Sequence, residues 1–254
     1  MKVALVTGAS SGIGASAAEF LAKDGFFLSL SGRVEEALIK TRDACIVQGC
    51  PSDKIIYTVG DINEDSVQKD FVQRTIEKFG QIDTLINAAG ILVNGTVLDC
   101  PMEEYDRQML VNVRSLISVT RVALPEIIKT KGTIVNVSSV AGTNAFPGVT
   151  YYCISKAAVD QFTKCLALEM ASNGVRVNAV NPGVIVTDIH RRAGQDEETY
   201  RKFLEHSAET HALGRPGTVD EVSRAIVFLA GPASSFTTGH LLAIDGGRGI
   251  MTPR

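Results

Sequence analysis

Short runs of apolar and β-branched residues alternate along the chain with longer segments of helical hydrophobic period, and this alternation strongly constrains the fold. The short runs, which predict strands, are Val3–Val6, Phe27–Leu30, Ile55–Thr58, Thr84–Ile86, Thr133–Val137, Val175–Val180 and Leu241–Ile244. The longer segments, which predict helices, are Ile13–Lys23, Val34–Gln48, Glu64–Phe79, Glu103–Lys129, Val149–Ser172 and Val219–Leu229. Strands that alternate with helices form parallel sheets covered by helices on both faces. The sequence therefore predicts an α/β fold with one doubly wound, seven-stranded parallel sheet.

The length and the lack of a linker predict a single domain over residues 1–254. No repeat, low-complexity tract or Pro/Gly/Ser-rich linker divides the 254 residues, and single α/β domains commonly reach about 200–250 residues. One stretch interrupts the alternation of predicted strands and helices: from Thr187 to about Pro216 the chain becomes polar and charged. An excursion of this size is either a functional lid or a surface insertion.

Charge and cysteine content exclude several classes of function. The formal net charge is −3 and the basic residues are scattered along the sequence. The sequence therefore contains no cluster of basic residues of the kind that binds nucleic acid or an anionic membrane. The five cysteines never form a CxxC pair and the four histidines show no ligand spacing, so we predict neither a disulfide framework nor a metal site. A strand beginning at Lys2 leaves no room for a leader peptide, and no apolar run spans a membrane. We expect a cytoplasmic protein.

A glycine-rich turn, TGASSGIG, follows the first predicted strand and precedes a helix. Gly8 permits the sharp turn, Gly12 lets the backbone approach a pyrophosphate, and Gly14 allows close helix packing. The N-terminus of the helix presents free N–H groups to the anion. The turn therefore predicts dinucleotide binding by a Rossmann domain, although a tight loop without a ligand can have the same pattern. The predicted contacts are Gly8, Ser10, Ser11, Gly12, Ile13 and Gly14.

Tyr152 and Lys156 lie four residues apart at the start of a predicted helix and share one face of it. Tyr151 is five residues from Lys156 and is expected to point elsewhere. A phenol with a pKa of about 10 is a poor proton shuttle at neutral pH, but a fixed ammonium and a positive nicotinamide ring would both lower that pKa. We expect Tyr152 to act as a general acid/base. Ser139, at the end of a predicted strand, could hold the substrate oxygen.

The TGxxxGxG turn, the strand-end serine and the YxxxK pair together resemble the short-chain dehydrogenase/reductase family over nearly the whole chain. In that family a serine, a tyrosine and a lysine form the active site with an asparagine, and the matching positions here are Ser139, Tyr152, Lys156 and Asn112. The resemblance implies that Asn112 holds a structural water that extends a proton relay from Lys156. Each motif alone arises often by chance, but a chance occurrence of all of them in the order and spacing of the family is improbable.

The end of the second predicted strand bears on the choice of cofactor. An NAD-specific Rossmann protein usually places Asp or Glu there, whereas a 2′-phosphate needs a positive partner. This strand ends in Ser31-Gly32-Arg33 and contains no acidic residue there. The planar guanidinium of Arg33 can donate two parallel hydrogen bonds to a phosphate. The pattern resembles NADP-using members of the family, so we predict NADP(H) rather than NAD(H). The alternative is that Arg33 merely begins a solvated helix.

Further cofactor contacts are implied by the family resemblance. Asp61 resembles the aspartate that contacts adenine, although helix capping explains it equally well. The sequence Asn87-Ala88-Ala89-Gly90 resembles the family's NNAG, with alanine as a tolerated departure at the second position. Other positions line the nicotinamide by the same resemblance. The predicted set is Asp61, Ile62, Asn87, Ala88, Gly90, Tyr152, Lys156, Pro182, Gly183, Val184, Ile185 and Thr187.

These features predict an enzyme that transfers a hydride between NADP(H) and a carbonyl or secondary alcohol. A catalytically silent dinucleotide sensor or scaffold on the same fold, and an NAD-linked alcohol dehydrogenase, are the alternatives. The predicted substrate loops contain Thr143, Asn144, Ala145, Phe146, Val184, Ile185, Ile189 and His190. The C-terminal part resembles 3-oxoacyl carrier-protein reductases and glucose or sugar-alcohol dehydrogenases, so the substrate stays open. The resemblance also implies a homo-oligomer, either a tetramer or a dimer.

Overall fold

The sheet predicted from the sequence is present in the computed structural model, which describes residues 2–251. Seven parallel strands lie in the order β3-β2-β1-β4-β5-β6-β7. They are β1 (Lys2–Thr7), β2 (Phe26–Gly32), β3 (Ile55–Val59), β4 (Thr84–Asn87), β5 (Thr133–Val137), β6 (Arg176–Pro182) and β7 (Leu241–Ile244). The prediction of a doubly wound seven-stranded sheet is confirmed.

The helices lie on both faces of the sheet, as predicted. In chain order they are α1 (Gly12–Lys23), α2 (Glu35–Val47), α3 (Asp65–Phe79), α4 (Met102–Met109), α5 (Ser115–Thr130), α6 (Thr150–Met170), α7 (Ile189–Arg192), α8 (Glu197–Thr210) and α9 (Val219–Ala230). Leu21 of α1 and Ile226 of α9 are buried in the core on one face, whereas Phe71 of α3 and Ile127 of α5 are buried on the other. Full burial of each such side chain contributes about 1.5–3 kcal/mol.

The single helix predicted over Glu103–Lys129 is wrong in one respect. A π-helical turn at Leu110–Arg114 separates α4 from α5, because Asn112 turns its side chain inward and bonds to Ile91 and Ser155 instead of continuing a regular helical face. Such π-helical turns often occur at functional sites. The hydrophobic period of the sequence does not reveal the turn, because one extra residue changes that period little.

The polar excursion from Thr187 contains α7 and α8, which the sequence did not predict as helices. Its second helix begins at the N-cap Asp196, whose side chain accepts the N–H of Thr199 at 2.8 Å. Few of its side chains are buried, and Tyr200 is the large exception. A surface helix has only a weak apolar pattern, which explains why this helix could not be predicted.

The order of the strands places a crevice at their carboxyl ends. The chain moves outward from β1 through β2 to β3, then returns to pair β4 with the other side of β1. Ligands of open α/β sheets bind at such a switch point. Among residues 2–251, no helix is both long enough and apolar enough to cross a bilayer. No group of three or more potential metal-ligating side chains occurs over the same residues.

Candidate active site

One cavity of about 680 Å³ opens at the carboxyl ends of the strands. It brings together the glycine turn after β1, the ends of β2 to β6, and the start of α6. Phe146, Ile189 and His190 of the predicted substrate loops line it, but Thr143, Asn144 and Ala145 do not. Of the predicted catalytic and cofactor-binding residues, Asn87 and Asn112 do not line it. The others do: Gly8, Ser10, Ser11, Gly12, Ile13, Gly14, Arg33, Asp61, Ile62, Ala88, Gly90, Ser139, Tyr152, Lys156, Pro182, Gly183, Val184, Ile185 and Thr187.

The glycine turn has the geometry of an anion cradle. Gly8 and Gly12 have positive φ angles of 66° and 57°, which side-chain-bearing residues rarely adopt. A Cβ on Gly14 would collide with the carbonyl oxygen of Gly8, so helix α1 packs directly against the turn. The N-cap Ser11 makes no side-chain capping bond, and no acidic residue lies in the first turn of α1. The first N–H groups of α1 are therefore free for a diphosphate, which fits this site.

The end of β2 extends the same cavity toward the adenosine side. A Cβ on Gly32 would lie only 3.0 Å from the Cβ of Ser10, so the two loops lie close together. Arg33 is exposed at the cavity wall and forms no ion pair with any carboxylate of residues 2–251. Asp61 accepts the backbone N–H of Asn63 at 3.0 Å. It stabilises a loop turn, whereas the N-cap of α3 is Glu64.

Tyr152 is buried at the cavity wall, and its pKa is shifted in the direction opposite to the one expected. Burial raises the pKa of the phenol to about 12, and the smaller effect of a hydrogen bond with the Ser139 hydroxyl opposes that rise. We expected the ammonium of Lys156 to lower this pKa. In the protein without cofactor the expectation is wrong, because burial raises the pKa more than the hydrogen bond with Ser139 lowers it. Lys156 Nζ lies 5.6 Å from the centroid of the Tyr152 ring.

Lys156 is buried one helical turn after Tyr152. Its Nζ donates to the carbonyl oxygen of Val137 at 2.9 Å, which fixes the ammonium against the end of β5. Burial lowers the pKa of Lys156 to about 8, and the nearby carboxylate of Asp160 opposes that shift. The group therefore remains mostly protonated at neutral pH but holds its proton less firmly than an exposed lysine.

Asn112 is buried behind the cavity rather than in its wall. Its Oδ1 accepts the N–H of Ile91 at 2.8 Å, and its Nδ2 donates to the Ile91 carbonyl at 2.9 Å. A Cβ on Gly90 would lie 3.4 Å from Asn112 Oδ1 and 3.6 Å from Lys156 Nζ. Both polar groups therefore lie in van der Waals contact with the position that a side chain at Gly90 would take.

Two other residues of the predicted motifs lie away from the cavity. Asn87 is buried at the end of β4, where its Nδ2 donates to Thr120 Oγ1 at 3.0 Å and to Asn136 Oδ1 at 2.9 Å. These bonds join β4 to β5 and α5 beneath the site. Tyr151 points away from Lys156, as expected, and its hydroxyl donates to the carbonyl of Cys100 at 3.3 Å.

The cavity wall also contains residues that we did not predict from the sequence, namely Asn94, Arg192, Gln195, Phe203, His206 and Arg248. Arg248 follows β7 directly after the turn Asp245-Gly-Gly, so its position at the carboxyl end of a parallel strand was a usable signal. Arg192 and Phe203 lie in the polar excursion. The sequence indicated a lid or a surface insertion there, but without the two helices it could not show which of its side chains face the cavity.

The strand order and the glycine turn define the class of Rossmann-type α/β proteins. The family model described as enoyl-(acyl carrier protein) reductase matches residues 8–248. The 3-oxoacyl-(acyl-carrier-protein) reductase of Thermotoga maritima is 36% identical over 250 residues, which cover 97% of both chains. The L-xylulose reductase of Caenorhabditis elegans is 36% identical over 247 residues, which cover 96% of this chain and 94% of that protein.

A solved structure shows the same fold. It is a short-chain dehydrogenase/reductase of unknown function from Caenorhabditis elegans, determined with its cofactor. The TM-score is 0.94 at 32% identity, covering 99% of this chain and 96% of that one. The protein belongs to the short-chain dehydrogenase/reductase family of oxidoreductases, which use nicotinamide dinucleotides and act on small molecules.

Proposed function

We propose that the protein transfers a hydride between NADP(H) and a carbonyl or secondary alcohol, with Tyr152 as the acid/base. The observation that carries the proposal is that Ser139, Tyr152 and Lys156 line the same cavity as the glycine turn. The bound nicotinamide dinucleotide supplies or accepts the hydride. The names of two relatives, both reductases, support the carbonyl class without fixing a substrate.

The side chains divide the proton chemistry among them. Ser139 orients the substrate oxygen toward Tyr152, since its hydroxyl already lies within hydrogen-bonding range of that phenol. A phenol with a pKa of about 12 is fully protonated at neutral pH, so Tyr152 is ready to donate a proton to a carbonyl oxygen. The fixed ammonium of Lys156 then stabilises the tyrosinate, and a positive nicotinamide ring would favour the reverse reaction in the same way.

The cofactor preference depends on Arg33. Its charge is unpaired within residues 2–251, and the cavity beside it contains the end of β2, where a ribose 2′-phosphate would lie. We expect NADPH to bind at least tenfold more tightly than NADH, and Arg33→Gln to remove most of that difference. Fluorescence titration with both cofactors tests this. Equal affinity in the wild type would refute the role of Arg33.

The polar excursion, residues 187–216, is proposed to act as a lid over the cofactor. Arg192 Nη1 in α7 donates to Ser11 Oγ in the glycine turn at 3.0 Å, although the two residues are 181 positions apart. Asn94 Nδ2 donates to the carbonyl of Ala193 at 3.2 Å from the opposite side of the cavity. Both bonds lie at the surface and break at little cost, as the opening of a lid requires.

The decisive experiment for the function is a panel of carbonyl and alcohol substrates followed by NADPH absorbance, with Tyr152→Phe as the variant. The phenylalanine keeps the ring in its apolar surroundings and removes only the acidic proton. We expect a loss of kcat of about 10²-fold or more. Near-wild-type turnover by Tyr152→Phe would refute the assignment. Tight cofactor binding without turnover of any substrate would favour the sensor or scaffold alternative.

A further inference from the structure

Arg248 lies at the cavity wall on a turn of defined backbone conformation. It follows the turn Asp245-Gly-Gly after β7, where Gly246 and Gly247 have φ angles of 57° and 83°. The carboxylate of Asp245 accepts the N–H of Gly247 at 3.0 Å and the N–H of Gly249 at 2.6 Å. The turn is therefore fixed by its own aspartate, and Arg248 projects from a defined backbone.

The guanidinium is held against the apolar side of the candidate active site. It lies 4.8 Å from the centroid of the Phe146 ring, in cation–π geometry. Phe146 packs against the small apolar cluster that contains Tyr152, Leu92 and Ala141. Arg248 Nη1 also donates to Thr210 Oγ1 at 3.0 Å. The charge thus lies at the cavity wall beside the apolar cluster that contains Tyr152.

This charge has no counterion among the residues that the structure describes. No carboxylate there lies within 4.0 Å of the Arg248 guanidinium. Burial lowers the pKa of Arg248, and Asp245 offsets only part of that effect. A half-buried, unpaired guanidinium is costly, and an anionic ligand group would remove the cost.

The positive field of Arg248 reaches the lid. His190 of α7 lines the same cavity, and its ring lies 4.3 Å from the ring of Phe203 in α8. Burial, with the charge of Arg248 as a second cause, lowers the pKa of His190 to about 4. The imidazole is therefore neutral at physiological pH. The wall formed by Arg248 and His190 carries one positive charge and faces the space where substrate would lie.

We propose that Arg248 forms an anion subsite, and that the substrates of this enzyme are carbonyl compounds or alcohols bearing a carboxylate or a similar anionic group. The proposal rests on the proposed function, because it names the substrate class of that site. The planar guanidinium of Arg248 binds the anionic group. Neutral His190 and Phe203 close the subsite from the lid, so binding of the anion favours the closed lid.

The test compares 2-oxobutanoate, 3-oxobutanoate, 4-oxopentanoate and 5-oxohexanoate with their methyl esters, using NADPH. The series varies the distance between carbonyl and carboxylate, and each ester removes the charge while adding one methyl group. We expect at least one acid to exceed its ester in kcat/KM by about tenfold or more, mainly through KM. Arg248→Gln is expected to bring that ratio close to 1, and Arg248→Lys to retain part of it.

Arg201→Gln is the matched control, since it removes an arginine of α8 that pairs with Glu205 at the surface and does not line the cavity. It is expected to leave the acid-to-ester ratio unchanged. Ratios near 1 for all four pairs in the wild type, with turnover of the esters, would overturn the anion subsite and leave the proposed function standing. Turnover of neither acids nor esters would count against the proposed function instead.

A second readout needs neither turnover nor an arginine variant. Burial is the larger cause of the low pKa of His190 and the charge of Arg248 the smaller one, so an anion that neutralises Arg248 is expected to raise that pKa. Adding each oxo acid to the NADP⁺ complex should move the NMR titration of His190 upward, with the resonance assigned by its loss in His190→Gln. Sodium chloride at equal ionic strength is the control. A His190 titration that 2-oxobutanoate does not move, together with acid-to-ester ratios near 1, would refute the subsite.

Discussion

Asn112 Nδ2 donates a hydrogen bond to Ser155 Oγ at 3.0 Å, which joins the π-helical turn to the helix that carries Tyr152 and Lys156. The same asparagine holds the loop after β4 through both backbone groups of Ile91. One buried side chain therefore connects three segments of the site. This bonding gives Asn112 a positioning function, separate from the water that the family resemblance implies.

Asn112→Ala should destabilise the protein by about 2–4 kcal/mol, because the buried partners of three hydrogen bonds lose them at once. Urea unfolding followed by circular dichroism measures the change. Ser155→Ala is the control: it removes one of those bonds together with the bond from Ser155 Oγ to the carbonyl of Tyr152, and it should cost about 1–2 kcal/mol. A loss of stability in Asn112→Ala no larger than that in Ser155→Ala would contradict a stabilising contribution from the bonds to Ile91.

Lys156→Met should stabilise the protein at pH 7. The folded-state pKa of about 8 lies below the ordinary 10.5, so the buried ammonium costs stability below pH 8, by about 3 kcal/mol. That cost disappears as the pH rises from about 8 to 10.5, where the unfolded lysine also loses its proton. Because the bond to Val137 is lost too, we expect a net gain of about 1–3 kcal/mol.

Thermal unfolding at pH 7 and pH 9.5 tests this sign. The melting temperature of Lys156→Met should exceed that of the wild type at pH 7 by about 2–9 °C, and the difference should shrink at pH 9.5. The variant should also lose activity. A variant that is less stable at pH 7 would mean that the interactions of the ammonium with Val137 and Asp160 outweigh the free-energy cost of its burial.

The tyrosinate absorbance at 295 nm tests the high pKa of Tyr152. Subtracting the titration of Tyr152→Phe from that of the wild type isolates this phenol from the other four tyrosines. Without cofactor, the difference should titrate near pH 12. With NADP⁺ bound, the positive ring should lower the apparent pKa by at least one unit. A difference titration near pH 10 without cofactor would contradict the effect of burial.

Arg192→Gln should weaken NADP(H) binding about threefold to tenfold, because its guanidinium lies over the glycine turn beside Ser11. The exposed pair is screened by salt, so the effect should diminish above about 0.5 M NaCl. Isothermal titration calorimetry at two salt concentrations measures both results. Arg201→Gln again serves as the control in α8. Unchanged affinity in Arg192→Gln at low salt would remove this arginine from the lid proposal.

The sequence correctly predicted features that depend on neighbours along the chain. Short apolar runs and longer segments with a period of 3.6 residues separate strands from helices, so the seven strands and the glycine turn agree with the structure to within about two residues. The spacing of Tyr152 and Lys156 places them on one face of α6 by helical geometry alone. Asn112 was found through its motif, but the π-helical turn that positions it was not.

Tertiary structure decided what depends on residues far apart in the chain. Phe146 and Arg248 are about a hundred positions apart and meet only because the ends of β5 and β7 open on the same cavity. The rise in the pKa of Tyr152 also depends on burial, which no local pattern of charges shows. Helical and strand periods are local properties of the backbone, whereas desolvation and charge pairing depend on which distant segments exclude water from the same space.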